Sequence, residues 1–160
     1  MELYVARHAR AADEGRGGER PLTDEGRDDA RRIGRALAAA GVELKSVWHS
    51  GKLRARETAD LLAGAVGAGA DLDERADLQP LSDPSTVLDA VRDGDGPVLV
   101  VGHLPHVERL SSLLLTGDVD AEVVDIPPGA VLRFVSGEGR DWRLTWFVTP
   151  GLLPRGTERR

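Results

Sequence analysis

Short apolar runs and helical apolar stripes alternate along this chain of 160 residues. Glu2-Leu-Tyr-Val-Ala6 reads as a buried strand. Residues 9–22 are polar, with Gly15, Gly17, Gly18 and Pro21, and are predicted to form a mobile loop over the strand end. Thr23 is placed as an N-cap, with Asp24 and Glu25 favourable in the first turn. Ala30, Ile33, Leu37 and Ala40 then fall at helical spacing, which predicts a helix over 24–40 stopped by Gly41. A second strand is expected from Lys45 to His49. Ser50 is placed to cap the helix that follows, from about Lys52 to Val66, with Leu53, Leu61, Leu62 and Val66 facing inward.

The second half repeats the rhythm less regularly. A short extended piece is expected near Asp71 to Asp73, then an irregular loop through Pro80 to Pro84. Asp83 and Pro84 open a helix to Arg92, because proline suits the first helical position. After a turn over 93–97, Val98-Leu-Val-Val101 is a β-branched run of the kind covered on both faces of a sheet. Pro105 starts a helix with Val107, Leu110, Leu113 and Leu114 inward. Val123 to Ile126, Ala130 to Val135 and Trp142 to Val148 read as strands, the last two joined in a hairpin across Gly137 to Asp141. Strands alternating with helices predict a three-layer α/β/α sandwich around a mostly parallel, mixed central sheet. One domain is expected over 1–154, with a polar tail over 155–160.

Composition narrows the class. The formal charge of −6 lacks the broad basic excess of a nucleic-acid binder. There is no cysteine, which excludes disulfides, thiolate metal sites and thiol catalysis. No apolar run approaches the ~20 residues of a membrane helix. A chain that opens directly on a strand is expected to lack a signal peptide and to be cytoplasmic. With no apolar stripe left over, a monomer is expected.

The chemistry gathers at strand ends. Arg7 and His8 follow the first strand, Ser50 and Arg54 the second, and His103 the run Val98 to Val101. In a mostly parallel sheet these converge on one edge, where α/β proteins bind ligands. Two guanidiniums, two imidazoles and a helix N-terminus make a phosphate site. An imidazole among cations has its protonation disfavoured, so His8 is expected to be neutral and able to attack phosphorus. The second imidazole is placed to stabilise transition-state oxygens. The rest of phosphoryl transfer is positioning and charge neutralisation.

Four segments resemble the histidine phosphatase superfamily, and within it the short SixA-type phosphohistidine phosphatases. They are Val5-Ala-Arg-His-Ala9, Arg20-Pro-Leu-Thr-Asp-Glu-Gly26, Ser50-Gly-Lys-Leu-Arg-Ala-Arg-Glu-Thr58 and Val100-Val-Gly-His-Leu-Pro105. The resemblance spans Met1 to about Pro154 and implies a phosphoglycerate-mutase-like fold. It implies His8 as the nucleophile, Arg7 and Arg54 as the phosphate clamp, and His103 as the completing group, with no metal or cofactor. It also implies a phosphohistidine protein as substrate, with a small phosphorylated metabolite as the alternative.

Several positions qualify this picture. Ala9 stands where the motif has glycine, and its methyl group is expected to crowd the turn; a non-catalytic phosphate-binding module is the reading this motivates. Arg10 is an extra cation beside the site, open to substrate binding or to simple solvation. Arg56 is expected at the surface, His49 as a structural strand-end histidine, and His106 as exposed. No histidine pair has metal-ligand spacing on a helix. Asp77 is the candidate proton donor to a leaving group. Forty-eight residues separate Arg54 from His103, too few for the long insertion of the superfamily's sugar-phosphate mutases. The run Arg27, Arg31, Arg32 and Arg35 reads as a solvated helix face.

Overall fold

The computed structural model describes residues 1–67, 69–138 and 141–156. Six strands form one sheet: β1 (Glu2–Arg7), β2 (Ser46–His49), β3 (Asp71–Glu74), β4 (Val98–Gly102), β5 (Val131–Ser136) and β6 (Trp142–Val148). Their order is β3-β2-β4-β1-β5-β6. The first four are mutually parallel, while β5 and β6 run antiparallel to their neighbours. Four helices cover it: α1 (Asp24–Ala39), α2 (Leu53–Val66), α3 (Pro84–Asp93) and α4 (His106–Thr116).

Strand alternation divides the core in two. Tyr4, Ala6, Val47, Leu99 and Val101 pack under Ile33 and Leu37 of α1 and Ala55, Ala59 and Leu62 of α2. Leu3, Val5, Val98, Val100 and Phe134 pack under Val87 and Leu88 of α3 and Val107, Leu110 and Leu114 of α4. The sandwich is therefore three layers thick, with β4 and β1 buried on both faces as their apolar runs require.

The local signals explain the element ends. Thr23 caps α1 by accepting the Gly26 N–H at 3.0 Å, and Asp83 caps α3 by accepting that of Ser85 at 2.9 Å. Gly26 has no room for a side chain, since a Cβ there lies 2.0 Å from the Arg10 carbonyl oxygen. Gly34 plays the same part between α1 and α2, where a Cβ meets that of Ala65 at 2.6 Å.

Several expectations need correction. Val123 to Ile126 is not a strand. Both edges of β1 are already occupied, by β4 and β5, and Pro127 and Pro128 bring no N–H to a ladder. On α2 the buried side is Ala55, Thr58, Ala59 and Leu62; Leu53, Leu61 and Val66 are only half-buried, because the close approach to α1 selects small residues. The loop over 9–22 is tied down by an Ala11–Leu22 bridge, by Arg20 Nε donating to the Ala12 carbonyl at 2.8 Å, and by Glu57 accepting the Leu22 N–H at 2.7 Å. Arg27 and Arg32 are not simply solvated: Arg27 pairs with Glu57, and Arg32 pairs with Asp29 and donates to the carbonyls of Pro150 and Leu153. Arg32 thus fastens the segment after β6 to α1. Part of the expected hairpin turn over 137–141 and the tail beyond residue 156 lie outside the described residues.

Candidate active site

Register sets the site before any side chain is considered. Arg7 of β1 pairs with Gly102 of β4, and His49 of β2 pairs with Val101. The residues that follow, His8, His103 and Ser50, therefore leave the sheet at one level on three adjacent strands. The His8 N–H donates to the Gly102 carbonyl at 3.0 Å, so the first step out of β1 is still tied to β4. The His8 and His103 rings stand 5.1 Å apart between centroids, tilted by 49°.

The first imidazole is oriented by its own turn. Its Nδ1 lies 2.7 Å from the Ala9 carbonyl oxygen. A carbonyl only accepts, so Nδ1 carries the proton and Nε2 keeps its lone pair. The side chain is 8 % exposed. Burial, with the nearby charges of Arg54, Arg7 and Arg20 acting in the same sense and the Ala9 hydrogen bond opposing them, lowers its pKa to about 4. At neutral pH it is an uncharged base.

Arg7 and Arg54 are seated differently. Arg7 donates through Nη1 to the Ile126 carbonyl at 3.0 Å, which fixes its plane. Arg54 lies in the first turn of α2, whose Thr58 hydroxyl donates to the Arg54 carbonyl at 2.8 Å and accepts the Ala9 N–H at 3.0 Å. Thr58 therefore joins the turn after His8 to the helix that carries Arg54. The buried Nε of each guanidinium finds no hydrogen-bond partner among the described residues. Burial lowers the pKa of both. Buried donors without acceptors are costly in a resting fold and suit an anion.

His103 is 2 % exposed, and burial, followed by the His8, Arg54 and Lys52 charges, lowers its pKa to about 3. Its Nε2 lies 2.6 Å from Ser50 Oγ. Ser50 is not the helix cap expected of it, since Lys52 occupies that position; its hydroxyl accepts the Lys52 N–H at 3.3 Å. Gln79 Nε2 donates to the Ser50 carbonyl at 2.8 Å.

The remaining candidates separate. The Ala9 methyl does not crowd the phosphate side: it packs in a small apolar cluster with Leu22 and Ala30. The Arg10 guanidinium is turned to Glu25, at 2.7 Å on the exposed surface, rather than into the site. Asp77 is committed elsewhere: both its oxygens accept from Arg75, at 2.9 and 2.6 Å, and Arg75 stacks over Trp48 at 4.2 Å. Both carboxylate oxygens are therefore engaged by the guanidinium rather than turned to a leaving group. Arg56 is exposed as expected, and His49 is buried with its Nδ1 accepting the Gly51 N–H at 3.1 Å. His106 is the clearest correction, being 0 % exposed rather than at the surface. It shares the inward stripe with Leu110 and Leu114 at four-residue steps, a spacing that marks it as buried.

Arg20 is the further cation whose charge bears on the site, and sequence reasoning assigned it no role. Its charge acts on both His8 and Arg54. The Ala11–Leu22 bridge folds its loop back, and Arg20 Nε is held there by the Ala12 carbonyl. Among the described residues, no group of three His, Asp or Glu side chains is placed to hold a metal ion. No helix is long and apolar enough to cross a membrane.

Comparison with known proteins agrees with this geometry. The family model described as histidine phosphatase superfamily (branch 1) matches residues 3–80. The phosphohistidine phosphatase SixA of Escherichia coli K12 is 29% identical over 155 residues, 94% of each chain. The solved structure of the protein histidine phosphatase SixA complexed with tungstate superposes with a TM-score of 0.83 at 27% identity, covering 94% of this chain and 98% of that one. A phosphoglycerate mutase of Bacillus anthracis shares the fold at a TM-score of 0.69 and 16% identity. These similarities, to a histidine phosphatase family model and to SixA phosphatases along nearly the whole chain, support a phosphatase of the histidine phosphatase type. The full-length similarity is to the short SixA-type phosphatases.

Proposed function

We propose that this phosphatase removes the phosphoryl group from phosphohistidine in a protein, through a covalent phosphohistidine on His8. The observation that carries the reading is the His8 Nε2 lone pair, freed by the Nδ1 bond to the Ala9 carbonyl and set between Arg7, Arg54 and His103. In the first step Nε2 bonds to phosphorus while the bond from phosphorus to the substrate nitrogen breaks, and that nitrogen keeps the electron pair. Arg7 and Arg54 neutralise the phosphoryl oxygens, with Arg20 adding positive charge, and His103 faces them from the other side. In the second step water attacks phosphorus, the bond to Nε2 breaks, and phosphate leaves.

The occupation of Asp77 by Arg75 supports a phosphoamidate over an alkyl phosphoester. An imidazole leaving group needs less help from an enzyme acid than a poorly acidic alcohol does. The relatives whose names specify protein phosphohistidine support the same class. Tungstate, the ligand in one of those structures, is a tetrahedral oxyanion like phosphate.

The test is a brief incubation with a ³²P-labelled phosphohistidine protein, quenched in alkali. An acid-labile, alkali-stable label on the wild-type chain, absent from His8→Ala together with turnover, is the expected result. Full turnover by His8→Ala overturns the reading.

A further inference from the structure

Arg7, which adjoins His8 in the candidate phosphate site, also lines a second, open depression of about 640 Å³. The floor of that depression is apolar, built from Leu104 after β4, Pro127 before β5 and Phe147 on β6. Glu108 and Asp125 supply carboxylates at its margin. Arg7 is held in place there. Arg7 Nη1 donates to the Ile126 carbonyl at 3.0 Å, and the Ile126 N–H donates to Glu108 Oε1 at 2.9 Å. Leu104 and Phe147 bury part of their surface against the core below α3 and α4, which fixes their positions.

Inorganic phosphate has no use for such a floor. A phosphoryl group carried on a polypeptide does, because a chain that places its phosphate on Arg7 lays neighbouring residues on the other side of the same guanidinium. The charge pattern says which residues suit it. The chain is acidic overall, at −6, and the depression adds two carboxylates beside a cationic site. A doubly charged phosphoryl group suits the arginines, while a basic side chain suits the margin.

We infer that this shelf reads the residues flanking the phosphorylated histidine of a substrate protein, an apolar side chain resting on Leu104 and Phe147 and a basic one meeting Asp125. The inference rests on the phosphohistidine-protein reading above and deepens it: it names the sequence context that the same site selects.

The experiment uses three phosphohistidine substrates: a peptide with Leu and Lys beside the phosphohistidine, the same peptide with Ser and Glu there, and free phosphohistidine. Wild type is expected to favour the first peptide over the second by about tenfold in kcat/KM. Asp125→Lys is expected to remove the preference for Lys over Glu, and Pro127→Asp to weaken turnover of the Leu-containing peptide. Both side chains are exposed, so neither change disturbs the core. Turnover of free phosphohistidine is expected to stay at the wild-type value in both variants. Equal wild-type turnover of the two peptides overturns the inference, as do variants that lower peptide and free-substrate turnover alike. If wild type turns over a phosphoester but no phosphohistidine substrate, the phosphohistidine reading itself fails, and this inference with it.

Discussion

Ser50 Oγ lies 2.6 Å from His103 Nε2, joining residues 53 positions apart across the adjacent ends of β2 and β4. The hydroxyl also accepts the Lys52 N–H, and Gln79 holds the Ser50 carbonyl. Removing the oxygen leaves a ring nitrogen buried without its partner, a cost of about 1–3 kcal/mol. Ser50→Ala is therefore expected to lower kcat by about ten- to a hundredfold on any substrate, and Ser50→Thr to keep most of the activity. Steady-state kinetics, with a thermal melt to show that the fold is intact, check both.

Arg20 makes a second prediction. Its charge contributes to the depressed pKa of His8 and to the field around Arg54. Arg20→Gln is expected to raise the inhibition constant for phosphate or tungstate by about three- to tenfold and to shift the His8 titration upward. Competitive inhibition and an imidazole NMR titration measure these separately. The reverse shift, or none, would show that the guanidinium acts only on the Ala12 carbonyl.

The pH dependence of activity follows from His8. With a pKa of about 4, the ring remains mostly neutral down to about one unit above that value. The rate kcat/KM is expected to be level from pH 7 to about 5 and to fall below it with protonation of His8. An acid limb near pH 6.5 instead would mean an unperturbed histidine. Initial rates after brief exposure to each pH, with circular dichroism at the same pH, separate titration from unfolding.

Stability has its own acid limb, and His106 tests it. Burial, with Arg109 adding to it and Asp77 and Asp83 opposing, lowers its folded pKa to about 4. The unfolded chain, with a histidine of ordinary pKa 6.5, binds more protons between these values. Stability is therefore present above pH 6.5 and declines as the pH falls towards 4, by about 1.4 kcal/mol per pH unit for each such group. His8 and His103 act in the same direction. Neither ring nitrogen of His106 has a hydrogen-bond partner among the described residues. His106→Leu is expected to hold stability at pH 7.5 to within about 1 kcal/mol and to make the decline between pH 6.5 and 4 shallower. Urea unfolding across that range measures both.

Ala9 supplies the last prediction. Its methyl group is buried against Leu22 and Ala30, not against the phosphate side of the turn. Ala9→Gly is expected to cost about 1–2 kcal/mol of stability, from a lost methyl contact and a freer unfolded chain, with kcat changed less than threefold. A large rise in kcat would show instead that the methyl group obstructs the site.

Much of this architecture was legible because it is local. The caps at Thr23 and Asp83, the β-branched run of β4 and the stripe on α1 depend on neighbours within a few residues. The convergence of His8, Ser50, Arg54 and His103 was legible from strand ends alone, given a parallel sheet. What escaped was set by pairings that no spacing encodes. Whether Val123 to Ile126 becomes a strand depends on which edges β1 has free. The roles of Arg10 and Asp77 turned on their partners, Glu25 and Arg75, and that of Arg20 on the folding back of its loop. His106 is a different kind of miss: its spacing from Leu110 and Leu114 carried the signal, and a polar residue beside a proline hid it.

The central position of β4 has a further consequence. β1 and β2 are never neighbours; each pairs with β4, which comes about fifty residues after β2 in the chain. During synthesis, a chain that has emerged only as far as residue 80 carries His8 and Arg54 with nothing between the strands that bear them. Arrival of residues 98–103 brings their shared partner strand and His103 in a single event. A chain clipped before residue 98 can still pair β2 with β3, but it lacks the strand that joins β2 to β1, so His8 and Arg54 have no common frame and no His103 opposite them.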